Sequence, residues 1–294
     1  MTVEVAPGAG FCFGVKRALR LAFEAARESD GPVVTLGPII HNPQVVERLE
    51  SEGLRVVQTL DEIDSGTLVV RSHGLPGPIL DEAERRGLRI VDATCPFVKQ
   101  VQDRAKELER EGYSVVVVGE EDHPEVLSIT GSLERPALVV NGPKGLDSIG
   151  EHDRVGVVCQ TTQPPERLRS VIVGLLSKAP ELKVFNTICE ATFERQAHAL
   201  ELAKRAEVML VVGGRNSANT RRLRELCREA TCDAYHIETA DEFDPGWIQG
   251  ADLVGITGGA STPQWIIDDL VAVVESAMAS GRTGGGTPPS VGSS

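Results

Sequence analysis

Short valine-rich runs alternate with longer stretches whose apolar residues recur every three or four positions, almost from end to end of the chain. The runs Val33–Leu36, Leu68–Arg71, Arg89–Val91, Ser114–Val118, Val155–Val158, Lys183–Phe185, Val208–Val212 and Asp252–Ile256 predict strands. The stretches Val15–Glu28, Pro43–Ser51, Phe97–Glu111, Pro165–Lys178, Ala191–Arg205, Ala218–Glu229 and Pro263–Ser280 predict helices. Strand followed by helix, repeated, implies parallel sheets covered by helices, the α/β class. An eight-fold barrel would fit 294 residues, but uneven spacing and long irregular segments favour two or three small sheet domains. Residues 281–294, GRTGGGTPPSVGSS, hold too little apolar surface to pack and are expected to be a disordered tail.

Composition narrows the function. Hydrophobic residues make up 41% and charged residues 25%, ordinary for a globular chain, and the formal net charge is −13. That charge argues against nucleic acid as a partner and against anionic membranes. No apolar run approaches the roughly 18 residues of a spanning helix, and MTVEVAPGAG lacks the pattern of a signal peptide. The expected location is the cytoplasm.

Six cysteines are scattered with no CxxC pair. In a reducing compartment such cysteines are core residues, metal ligands or nucleophiles. Cys159 lies in an apolar strand, and Cys227 and Cys232 flank a helix end; these three read as structural. Cys12 (GFCFGV), Cys95 (DATCPFV) and Cys189 (NTICEAT) each precede a predicted helix, 83 and 94 residues apart, a faint threefold periodicity. A helix N-terminus favours thiolate, and three thiolates suit a zinc site or an iron–sulfur cluster with one iron lacking a protein ligand. His41, His73 and His123 each follow a predicted strand, where open parallel sheets bind ligands, and suit an anion such as phosphate. His152, His198 and His236 lack that placement.

GGRNSANTRRL and TGGASTPQ run from strand through a polar turn into helix and read as phosphate cradles or as simple caps. No GxxxxGK[ST] and no GxGxxG follows a strand, so nucleotide chemistry is not indicated. Glu125, in HPEV, is placed for general-acid work beside an anion, or merely stabilises a first helical turn. Thr161, in QTT, could orient a proton or cap the next helix.

In their order, GFCFGVKRAL, GPIIHNPQVV, SHG, DATCPFV, HPEV, QTT, NTIC-AT--RQ, NSANTRRL and TGGASTPQ resemble the 4-hydroxy-3-methylbut-2-enyl diphosphate reductase (LytB) family, over residues 10 to 267. The resemblance implies three small parallel-sheet α/β domains around a central [4Fe–4S] cluster. Their limits would be 14–96, 97–190, and 191–280 joined with 1–13. The cluster ligands would be Cys12, Cys95 and Cys189, with one iron open to the substrate hydroxyl. His41, His73, His123, Thr161, Ser217, Asn219 and Ser261 would hold the allylic diphosphate substrate. Glu125 and Thr161 would move the proton, and ferredoxin or flavodoxin would supply electrons, giving isopentenyl and dimethylallyl diphosphate.

The chain departs from the family pattern at Ala218, where a second serine is usual, and around LPGPIL, QPPERL and GEEDHPEV. The missing hydroxyl is worth roughly 1 kcal/mol if nothing replaces it. Two other readings stand beside the reductase: a divergent paralogue that binds an allylic diphosphate or senses redox state without turnover, and a zinc hydrolase using the Cys/His set.

Overall fold

The computed structural model describes residues 2–148, 154–230 and 233–283. Twelve parallel strands form three four-stranded sheets among those residues. The first contains β2 (Val33–Leu36), β3 (Leu54–Val57), β4 (Thr67–Val70) and β5 (Arg89–Asp92), in spatial order β3-β2-β4-β5. The second contains β6 (Ser114–Val118), β7 (Leu138–Val140), β8 (Arg154–Cys159) and β9 (Glu181–Val184), in order β7-β6-β8-β9. The third contains β10 (Val208–Val212), β11 (Asp233–Ile237), β12 (Leu253–Gly258) and the N-terminal β1 (Thr2–Val5), in order β11-β10-β12-β1. If β1 is counted as the last strand of its sheet, all three share the order second-first-third-fourth. The faint sequence periodicity is therefore a repeated topology, with the chain cut inside its third copy.

The helices are α1 (Phe13–Glu28), α2 (Pro43–Ser51), α3 (Gly77–Arg85), α4 (Pro96–Arg110), α5 (Pro124–Thr130), α6 (Pro165–Leu175), α7 (Glu190–Ala203), α8 (Ala218–Glu229) and α9 (Gln264–Thr283). The α/β class and all eight predicted strands are present, as are the seven predicted helices, α2 and α8 with the predicted ends and the other five with shifted ones. The pattern passed over β1, β3, β7 and β11, and all four are edge strands. Edges are partly solvated, so in Leu54–Val57 only the two end residues are buried, while Val33–Leu36 and Val208–Val212 are buried throughout. Helices α3 and α5 were also passed over: α3 starts in the Pro/Gly segment after His73, and α5 spans only seven residues. Residues 281–283 extend α9, contrary to the expected tail; 284–294 lie outside the described residues, as do His152 and Cys232.

Two compact units emerge. Residues 12–194 hold the first two sheets. There Val101, Ala105 and Leu108 of α4 pack with Val115, Val117, Val126 and Ile129, each large side chain stabilising by about 1.5–3 kcal/mol when fully buried. The Ser128 hydroxyl of α5 donates to the His73 carbonyl at 2.7 Å, stitching the first sheet's loop to the second sheet's helix. Residues 1–11 with 195–294 hold the third sheet. Alternate residues of β10 serve its two faces: Val208, Leu210 and Val212 pack with Leu270 and Val274 of α9, Met209 and Val211 with Leu223 of α8.

Candidate functional site

The strand order places the switch point of each sheet between its first and third strands, where ligands of open parallel sheets collect. His41 follows β2 and His73 follows β4; His123 and Glu125 follow β6, and Thr161 follows β8. Ser217 and Asn219 follow β10, and Ser261 follows β12. The cysteines follow the fourth strands instead: Cys12 after β1, Cys95 after β5, Cys189 after β9.

In the 12–194 unit, Cys12 and Cys95 are the N-caps of α1 and α4, and Cys189 directly precedes α7. All three thiols are partly exposed, while Cys159 and Cys227 are buried. Their loops are pinned by main-chain bonds. The Cys95 amide donates to the Ser72 carbonyl at 2.9 Å, and the Cys189 amide to the Thr161 carbonyl at 2.9 Å. Arg17 of α1 donates to the Thr94 carbonyl at 3.1 Å. Thr187 accepts from the Cys159 amide at 2.8 Å and donates to its carbonyl at 2.6 Å. Gly14 makes room: a Cβ there would stand 2.5 Å from Cys95 Sγ and 3.9 Å from Cys12 Sγ.

The expectation that the helix start lowers the thiol pKa fails for Cys95, which is pushed up to about 11. Burial dominates, the amides of Phe97 and Val98 oppose it, and the charges of Cys12 and Cys189 add to the rise. Three thiols within electrostatic reach, one held protonated, form a donor set that only a cationic guest would deprotonate together. Among the described residues, the three sulfurs do not all lie within 4.8 Å of one another, as the ligands of one zinc ion would. The set fits an iron–sulfur cluster, which spans a wider ligand shell.

The imidazoles of His41, His73 and His123 meet, with ring centroids 4.6, 5.5 and 5.9 Å apart. Burial holds His73 well below the usual histidine range, reinforced by the other two histidines and Arg71, so it is neutral at pH 7. The three could in principle ligate a metal. However, His123 Nδ1 accepts from the Glu125 amide at 3.1 Å, which leaves the proton of the neutral ring on Nε2. An N–H donor suits an anion, not a cation.

Glu125 is 2% exposed, and burial raises its pKa to about 7 against two opposing hydrogen bonds from Thr161. One carboxyl oxygen accepts from the Thr161 amide at 2.6 Å, the other from its hydroxyl at 2.9 Å. Thr161 thus holds the carboxyl by its amide and hydroxyl, and Cys189 by its carbonyl. The departures from the family pattern avoid this centre. Glu121 and Asp122 are exposed, Pro165 opens α6, and Gly77 opens α3 with its amide on the Gly131 carbonyl at 2.9 Å.

In the other unit, Ser217 caps α8, accepting from the Thr220 amide at 3.3 Å. Asn219 is 4% exposed, and neither atom of its side-chain amide has a protein partner; the buried Thr220 and Thr257 hydroxyls are likewise unpartnered. Buried donors are rarely left so, and an anion would accept from the Asn219 NH₂ and from a hydroxyl such as that of Thr220. Ser261 is buried nearby in sequence, before α9. Arg195 of α7 donates to the Gly8 and Gly10 carbonyls, both at 2.8 Å, and fixes the loop that leads to Cys12. His198 and His236 hydrogen-bond to the main-chain carbonyls of Pro7 and Gly213.

Sequence reasoning passed over Arg17, Ser72, Ser128, Thr187 and Arg195. All five act on main-chain carbonyls or amides, which leaves no pattern of side chains to read. Only the placement of Arg17, Ser72, Thr187 and Arg195 inside the quoted motifs hinted at them.

Repeated parallel sheets, a thiol after each fourth strand and polar side chains at the switch points define an α/β protein whose donor groups fit a cluster and an anionic ligand. The chain belongs to the LytB protein family, which matches residues 3–275. It is 51% identical over 275 residues to a 4-hydroxy-3-methylbut-2-enyl diphosphate reductase of Geobacter sulfurreducens, covering 94% of this chain and 97% of that one. The same-named protein of Pelobacter propionicus is 52% identical over 271 residues, with 92% and 96% covered. A solved (E)-4-hydroxy-3-methyl-but-2-enyl diphosphate reductase, described as the terminal enzyme of the non-mevalonate pathway, superposes with TM-score 0.72 at 45% identity over 94% of this chain and all of that one. The Plasmodium falciparum reductase gives 0.88 at 25%, covering 92% and 87%.

Proposed function

We propose that the chain reduces 4-hydroxy-3-methylbut-2-enyl diphosphate to isopentenyl and dimethylallyl diphosphate, consuming two electrons and two protons and releasing water. The observation that carries this reading is the dry carboxyl of Glu125, raised to about 7 and clamped by Thr161, which in turn holds Cys189. Binding alone needs no proton donor, so this carboxyl speaks against a paralogue without turnover. A [4Fe–4S] cluster held by Cys12, Cys95 and Cys189 would supply the electrons and a Lewis-acidic iron.

The protein's own groups do the rest. His41, His73 and His123 donate N–H to the diphosphate; Ser217, Asn219 and Ser261 supply donors of the same kind. Protonated Glu125 gives its proton to the departing hydroxyl, because water leaves far more readily than hydroxide. The Thr161 hydroxyl fixes that proton's direction and lies beside the substrate oxygen. Electrons come from ferredoxin or flavodoxin. No helix among the described residues is long and apolar enough to cross a membrane; we place the protein in the cytoplasm.

Anaerobic iron and sulfide analysis with EPR of the reduced protein tests the reading. About four irons per chain, and a spectrum that changes on adding the allylic diphosphate, are expected. Zinc, or a cluster indifferent to substrate, would overturn it. Separately, Ala218→Ser restores a hydroxyl to the α8 cradle and is expected to lower KM about fivefold, from roughly 1 kcal/mol of added hydrogen bonding, with kcat unchanged. An unaltered KM would show that the cradle is already satisfied.

A further inference from the structure

Three of the chain's seven phenylalanines are exposed, and each stands beside one thiol. Phe13 adjoins Cys12 and is 64% exposed; Phe97 lies two residues beyond Cys95 at 41%; Phe193 lies four beyond Cys189 at 53%. All three sit in the first turns of α1, α4 and α7; the starts of α1 and α4 meet, a Cβ on Gly14 falling 2.5 Å from Cys95 Sγ and 3.9 Å from Cys12 Sγ, and the proposed cluster would join the start of α7 to them through Cys189. Solvated rings cost free energy, and aromatic groups on a surface mark interfaces. Nothing in the proposed proton chemistry uses them.

We infer that Phe13, Phe97 and Phe193 form the docking face for an acidic, one-electron carrier protein. This rests on the reductase reading, in which each turnover oxidises two such carriers by one electron apiece. Charge selects the carrier's sign. Lys16, Arg17 and Arg20 follow Phe13 at the spacings that share a helix face, in a chain whose net charge is −13. Arg20 pairs with Glu24, and Glu190 and Glu194 flank Phe193, so the cationic side of the face is that of Phe13. An acidic carrier is repelled by the chain as a whole and least repelled there. Redox encounters of this kind are small, and a few aromatic anchors suffice.

The test compares two reductants on the iron-loaded protein. With Phe13, Phe97 and Phe193 all changed to serine, turnover driven by reduced ferredoxin is expected to fall at least tenfold. Turnover driven by reduced methyl viologen, which needs no docking face, stays within twofold, and the EPR spectrum is retained. Lys16→Glu, which leaves the rings in place, should weaken ferredoxin binding by calorimetry at low salt, with the difference vanishing at high salt. Equal losses with both reductants, or no loss with ferredoxin, overturn the docking face. Wild-type protein inactive with methyl viologen would instead sink the reductase reading, and the calorimetry would still decide the docking.

Discussion

Glu125→Gln is expected to lower kcat by 10²–10⁴-fold, the usual contribution of a positioned general acid, with KM changed less than threefold. The substitution keeps the shape of the side chain. Its carbonyl oxygen can accept from the Thr161 amide, and the Thr161 hydroxyl, able to donate or accept, can turn to receive the new NH₂. Folding survives while the proton is lost. The pH profile carries a second signature. Burial raises the Glu125 pKa to about 7, so the acid form dominates below pH 7, and kcat should fall tenfold per unit above it. The glutamine variant loses that limb. Stability moves in the same sense: a carboxyl whose pKa is higher folded than unfolded costs nothing below pH 4.5, and its penalty grows as pH climbs through 7. By pH 9 the penalty has levelled off at about 3.5 kcal/mol, roughly 2.5 units at about 1.4 kcal/mol each. Above pH 7 the glutamine variant should therefore melt higher than wild type. A variant that keeps full kcat, or retains the alkaline limb, would remove Glu125 from the proton path.

What the sequence made legible follows from burial. Inner strands such as Val116–Val118 are apolar because both faces are covered, and their pattern is plain. Edge strands β3 and β11 carry charge or polarity on their solvated sides and dissolve into the background, and β7 is too short at three residues to show a pattern. At the site, the histidines, Glu125 and the three thiols could be read because their chemistry is rare and their motifs specific. The supports could not. Ser128 and Arg17 act on the carbonyls of His73 and Thr94, and any residue has a carbonyl. The Cys95 thiol was misjudged for a related reason. Helix position is visible in a sequence, whereas burial and two neighbouring thiols, which outweigh it, are not.

Gly14 puts that logic to its hardest test. It lies inside α1 and is buried, and its φ lies outside the left-handed region that favours glycine, so by helix propensity alone alanine would gain about 1 kcal/mol there. Space forbids it. An alanine Cβ would lie 2.5 Å from Cys95 Sγ, against the 3.5–4 Å of an unstrained contact. Cys95 cannot yield by sliding with its loop, because its amide is fixed to Ser72 and the preceding carbonyl to Arg17. It can yield by rotating its side chain, which turns the sulfur away from Cys12. Gly14→Ala is therefore expected to fold, with the iron-free protein melting no lower than wild type. Iron should nonetheless fall from about four atoms per chain to fewer than one, and reductase activity with it. Iron analysis and the circular dichroism melt, run on the same iron-free and reconstituted samples, separate the two effects. Full iron in a stable Gly14→Ala protein would mean that Cys95 does not ligate where its thiol now stands. Loss of both iron and fold would mean that the contact is one of packing. Only stability without iron places the glycine, and the approach of α1 that it permits, in the service of the cluster.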